Sequence, residues 1–242
     1  DTLRKAIVIA AVLMPFSAAA AEPPPPPPLW AGKAELSFVS TSGNTDVQTF
    51  GAGFEIHYKP LPWSADAKAS FVRSETSGAV NARSLAALLR GARNLTPRLD
   101  VFVQGDYLKD TFAGIDRRLA ETAGVEYGAV ETDRQELKTR VGLGYTKEDR
   151  VEGADRSFAS GLVGFSYKYK LTETTDLSDE FGFTEDLKDT ADWRIANTFA
   201  ITVAINKVFS LKASHDLQYL REPVEDFGRT DTITKVALVA SF

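Results

Sequence analysis

The sequence contains no cysteine. That excludes disulfides, thiolate metal sites and cysteine nucleophiles together, and it fits an exported chain that avoids stray oxidation. Beyond the N-terminal stretch no apolar run reaches the roughly 18 residues a membrane-spanning helix needs. There is no cluster of Lys and Arg, and the net charge is −5. A phosphate-binding surface is therefore not expected, and no nucleic acid is among the expected partners. Only two histidines occur, and no H-x-x-x-H or similar spacing suggests a metal. No cofactor is expected either. The lack of helical spans does not exclude strands: a barrel strand shows lipid only every second side chain, which halves its apolar content. A hydrophobic fraction of 43% is compatible with that.

What is present begins with an export signal. Arg4 and Lys5 precede the apolar stretch Ala6–Met14, then Pro15, Phe16 and the small-residue tract Ser17–Ala21 with its Ala19-Ala20-Ala21 site. This order of regions predicts a secretory signal peptide over 1–21. Six prolines, Pro23–Pro28, follow. They favour an extended polyproline II rod, so 22–29 reads as a spacer.

Residues 30–242 show period-two alternation in segments of ten to thirteen residues. In Leu137–Tyr145, Leu137, Thr139, Val141, Leu143 and Tyr145 point one way, and Lys138, Arg140, Gly142 and Gly144 the other. Phe50, Ala52, Phe54, Ile56 and Tyr58 alternate likewise with Gly51, Gly53, Glu55 and His57. The predicted strands are 30–39, 47–59, 63–75, 83–94, 99–109, 117–129, 135–146, 157–171, 176–184, 193–205, 208–220 and 230–242. Segment 83–94 would also suit a helix. Tight turns such as Pro60-Leu61-Pro62 and Asn206-Lys207 alternate with longer polar stretches at 40–46, 76–82, 110–116, 147–156, 185–192 and 221–229. An even number of strands, with short periplasmic turns opposite longer external loops, predicts an all-β, antiparallel up-and-down transmembrane barrel of about twelve strands. Trp30, Tyr58, Trp63, Tyr107, Tyr127, Tyr145, Trp193 and Tyr219 fall near strand ends, as interfacial girdles require. The last strand closes on Phe242, which resembles the C-terminal signal read by the barrel-insertion machinery.

Three stretches carry a family resemblance: Thr41-Ser42-Gly43-Asn44-Thr45-Asp46, Lys109–Arg118 with Gly124-Val125-Glu126-Tyr127, and the tail from Leu211 through Glu222-Pro223 and Thr230-Asp231-Thr232 to Phe242. Over about residues 30–242 the chain resembles the domain-of-unknown-function family 481, the salt-induced outer membrane protein family. Thr111 and Arg117 depart from its pattern, standing where a basic and an aromatic residue are expected. The resemblance implies an outer-membrane barrel and brings no catalytic residues with it.

With the apolar face outward, the inward face carries acids and bases in near balance. Glu55, His57, Asp66, Lys68, Arg118, Glu126, Glu136, Lys138, Arg140, Lys212 and Asp216 are the candidate lumenal network. A pore selective for one sign would be lined by the other, whereas mixed charges pair across strands. The loops are too short to make a large inward plug. The expected protein is a non-enzymatic barrel with a narrow polar lumen and a structural, stress-related or low-rate solute role, meeting outer-membrane lipids. A substrate-specific channel is the alternative, and an outer-membrane lipid hydrolase the third reading. The hydrolase needs Ser and His two apart on an outward face; His215 faces outward near Asn197, but its partners at that spacing are Ala213 and Leu217. Asp179 and Glu121 interrupt the apolar face, where an uncovered charge is costly; they mark a subunit contact or local register errors, and the second is the reading favoured.

Overall fold

The computed structural model describes residues 29–41, 47–111 and 113–242. The predicted signal peptide, nearly all of the proline spacer and most of the Thr41–Asp46 motif lie outside them. Twelve strands run in chain order: β1 Trp30–Thr41, β2 Val47–Tyr58, β3 Trp63–Thr76, β4 Ala79–Thr96, β5 Leu99–Asp110 and β6 Ile115–Glu131; then β7 Gln135–Arg150, β8 Arg156–Lys170, β9 Thr175–Asp186, β10 Trp193–Ala204, β11 Phe209–Leu220 and β12 Thr230–Ser241. Each pairs antiparallel with its neighbours in sequence, and β1 pairs with β12, so the sheet closes into a barrel with no free edge. No helix occurs among the described residues.

The alternation read from sequence sets the two faces. Leu143, Leu89 and Val103 are 68%, 67% and 63% exposed on the outer wall, while Thr146 and Glu148 on the same strand as Leu143 are buried inside. This inversion of the soluble pattern is what a lipid-facing wall requires. Segment 83–94 lies within β4. Leu85, Ala87 and Leu89 face out there, and Ala86 and Leu88 face the lumen, so a continuous apolar run serves both faces.

Five connections lie at the end that holds both termini. Four of them are built by one device: a side-chain oxygen accepts a backbone N–H two residues on. Thr96 accepts from Arg98 at 3.2 Å, Thr132 from Arg134 at 3.4 Å, Thr172 from Thr174 at 3.2 Å and Asn206 from Val208 at 2.8 Å. At the opposite end the expected loop 76–82 is a two-residue turn. Ser77 and Gly78 both have positive φ, 51° and 80°, the conformation whose twist matches a hairpin.

Barrel closure involves the last residue directly. Gly32 N–H donates to the Phe242 carbonyl at 2.8 Å, and Phe242 N–H returns a bond to Gly32 at 3.0 Å. The Phe242 ring lies outside the seam, over the place where Gly32 has no side chain, and near Phe54 with 6.4 Å between centroids.

Candidate functional site: the lumen and its mouth

The short 60–62 turn sets β2 and β3 so that His57 faces Asp66 and Glu55 faces Lys68. His57 Nδ1 lies 2.5 Å from Asp66 Oδ1, its Nε2 lies 3.0 Å from Glu55 Oε1, and Lys68 Nζ lies 3.1 Å from Glu55. Lys68 also donates to Glu180 on β9 at 3.2 Å. In the ring of twelve, β3 and β9 stand six strands apart in either direction. This ion pair therefore spans the lumen from wall to wall.

Other lumenal pairs skip one strand. Arg90 on β4 donates to Glu126 on β6 at 2.9 Å, and Lys212 on β11 donates to Glu35 on β1 at 2.8 Å. Asp216 accepts from Thr198 at 2.7 Å and meets Lys235 at 3.0 Å. Glu136 and Lys138 pair along β7 at 3.0 Å. Of the predicted network, Arg118 is not among Glu126, Glu136, Lys138 and Arg140; it is nearer the mouth, on Glu148. Arg140 Nε is buried with no hydrogen-bond partner.

The mouth opposite the termini holds a denser cluster. Glu148 on β7, 1% exposed, receives Arg118 Nε at 2.7 Å, Arg150 Nε at 2.8 Å and Arg194 at 3.1 Å. Arg156 on β8 reaches Asp192 at 2.8 Å, Asp186 at 3.6 Å and Glu222 at 3.7 Å. Arg156 and Arg194 stack over the buried ring of Phe158 at 5.9 and 5.1 Å. The β11–β12 connection, short as it is, crosses this mouth. Val224 is 2% exposed. It packs against Gly114, whose φ is +76° and where a Cβ would stand 2.7 Å from Val224 Cβ and 3.0 Å from the Phe227 ring. Gly114 belongs to the β5–β6 turn on the far side of the ring, so the loop covers the opening rather than standing away from it. Its contact with Gly114 supplies what length alone does not.

This cluster escaped the sequence reading because Lys147, Glu148, Asp149 and Arg150 are all charged and hide the alternation. Parity alone could have found it: Gly144, Thr146 and Glu148 continue the inward face.

On the outer wall the suspected register errors are not errors. Asp179 and Glu121 both face outward. Asp179 accepts from Asn197 Nδ2 at 2.6 Å, and Glu121 stands opposite Gly105 and Tyr145. His215 and Asn197 are diagonal neighbours across this hairpin on the outward face, but each is hydrogen-bonded to a different residue. His215 Nδ1 lies 2.8 Å from Thr234 Oγ1, and Phe199 faces it on β10, whereas Asn197 faces Leu217.

The sequence family described as "Protein of unknown function, DUF481" matches residues 34–242. The chain belongs to this family. It is similar to Uncharacterized protein YdiY of Escherichia coli K12, 24% identical over 212 residues, covering 86% of this chain and 81% of that protein. Among solved structures it resembles the COG4313 outer membrane channel of Pseudomonas putida F1, with TM-score 0.50 and 11% identity over 88% of this chain and 95% of the other. It also resembles the NanC porin, with TM-score 0.48 and 9% identity over 88% and 97%. The fold is that of outer-membrane β-barrel proteins.

Proposed function

We propose that this DUF481 protein is an outer-membrane barrel whose lumen is held nearly shut, with a structural, stress-related or low-rate solute role and no enzymatic one. The observation that carries the reading is the Lys68–Glu180 pair at 3.2 Å across the ring. Two opposed walls joined side chain to side chain leave little width for a solute. Phe242, seated at the closing seam, would serve as the signal to the insertion machinery, and residues 1–21 would direct export. The balanced lining, with most of its bases and acids paired, offers no single-sign filter.

A substrate-specific channel is the second reading. It is favoured by the solvent exposure of that same pair, 36% for Lys68 and 46% for Glu180, which leaves water beside the bridge. Planar-bilayer recording of the refolded full chain separates the two. Near silence, with rare small openings, is expected. Steady conductance steps from the unmutated protein would overturn the closed reading in favour of the channel.

A further inference from the structure

The outer wall changes character towards the mouth on five consecutive strands. On β3 to β7, Phe71, Leu85, Tyr107, Leu119 and Tyr145 face outward. Two residues nearer the mouth on the same strands come Arg73, Arg83, Lys109, Arg117 and Lys147, with the same outward parity. On β8 to β12 the last outward strand residues at that end are Ser157, Glu185, Trp193, Tyr219 and Thr230, and a single base, Arg221 just past β11, stands beside Trp193. No run of bases in the sequence announces this rim; strand register assembles it from five separated positions.

Its internal pairing is incomplete as a charge balance. Arg73 pairs with Glu75, Lys109 with Asp116 at 2.8 Å and Arg117 with Asp149, which sets three acids against five bases. Arg73 and Arg83 are also direct cross-strand partners. Like charges placed directly opposite on a sheet destabilise it unless an anion lies between them. A guanidinium has five donors, so Arg73 retains donors after serving one carboxylate. Arg73 itself lines a cavity of about 300 Å³ on the outer wall, together with Phe38, Phe50, Phe71, Gln48 and Glu75. Cationic groups beside a pocket walled on one side by three phenylalanines, at the edge of the lipid-facing band, complement an anionic headgroup with an acyl chain against those rings.

We propose that this rim binds a phosphorylated glycolipid of the outer leaflet, with a phosphate between Arg73 and Arg83 and an acyl chain in the phenylalanine pocket. The proposal rests on the outer-membrane reading, which places this end of the barrel outside. A free phosphate would satisfy the arginines but would have no use for the pocket.

The test refolds the full chain in neutral detergent and confirms the barrel by its heat-modifiable mobility. Binding is then counted by native mass spectrometry for three probes: a bis-phosphorylated hexaacyl glycolipid, the same molecule without phosphates, and phosphatidylglycerol. The phosphorylated glycolipid should bind about tenfold or more tightly than either of the others, as several converging cations imply. R73A/R83A/K147A should lose that preference, while R93A/R98A/R134A, at the opposite end, should keep it. Arg83→Gln alone leaves the Arg73–Glu75, Lys109–Asp116 and Arg117–Asp149 pairs intact and should weaken the preference, so it decides the matter should the triple variant fail to fold. Equal binding of the dephosphorylated form, equal binding of phosphatidylglycerol, or a preference that survives Arg83→Gln would each overturn the proposal. A wild-type chain that forms no heat-modifiable barrel would instead overturn the outer-membrane reading beneath it.

Discussion

Glu148 is the residue on which most of the mouth's charge depends. Three guanidiniums, from Arg118, Arg150 and Arg194, converge on one carboxylate that water barely reaches. Removing one member of a buried pair is costly because the charge left behind has neither partner nor solvent. Glu148→Gln should therefore destabilise the barrel by about 3–5 kcal/mol, the range for stranding a buried charge. Urea unfolding in lipid vesicles would measure it, and a loss near zero would mean that water enters the cluster freely. A second residue-scale contrast tests the two faces of β7. Leu143→Arg places a cation on the lipid side and should cost about 2–4 kcal/mol if it lies near the midplane. Lys138→Gln, facing the lumen beside Glu136, should be far milder. Equal impairment of refolding by both would mean that the faces are assigned wrongly.

Among the elements, the β11–β12 connection is tied down most unusually. Val224 buries its side chain against Gly114 and Phe227 while Glu222 approaches Arg156, so one apolar and one ionic contact hold the loop across the opening. Val224→Asp would force a carboxylate into that apolar contact. The loop should then lift, and limited proteolysis should cut within 221–229 while the heat-modifiable barrel persists. Protection unchanged from wild type would show that the loop does not depend on Val224. Such a contact could not be read from the sequence, because a polar stretch of that length looks like any external loop. The strands could be read: lipid imposes a strict period of two, and each predicted segment coincides with one strand to within a few residues. Legibility failed where that constraint lapses. Beyond the lipid band both faces of β7 are charged at 147–150, so the strand was ended too early. At Leu85–Leu89 both faces are apolar, so strand and helix looked alike. In the lumen, His57–Asp66 follows from a short turn and two paired strands. Lys68 and Glu180, 112 residues apart, meet only because the ring closes with twelve strands.

For the whole molecule, on the closed reading proposed above, two obstructions lie one behind the other along the axis: the Lys68–Glu180 pair within the lumen, and the loop with its arginine cluster at the mouth. Obstructions in series do not add like parallel leaks; the narrower one sets the current while it stands. Truncating Lys68, Lys138 and Arg140 together to alanine should widen the interior, yet conductance should stay low while 221–229 covers the mouth. Replacing residues 222–228 by a short Gly-Ser link should likewise give only brief openings. The combined variant should conduct steadily, well beyond the sum of the two. It should favour cations, because Glu55, Glu126, Glu136 and Glu180 would then outweigh the remaining bases around them. Single-channel recording in a salt gradient reads both quantities, conductance from the step size and selectivity from the reversal potential. Full conductance from the loop replacement alone would mean that the wall-to-wall pair obstructs nothing. Full conductance from the lumenal triple alone would mean that the covered mouth is not a barrier. Anion preference in the combined variant would show that Arg90, Arg118 and Arg194, rather than the acids, govern the widened path.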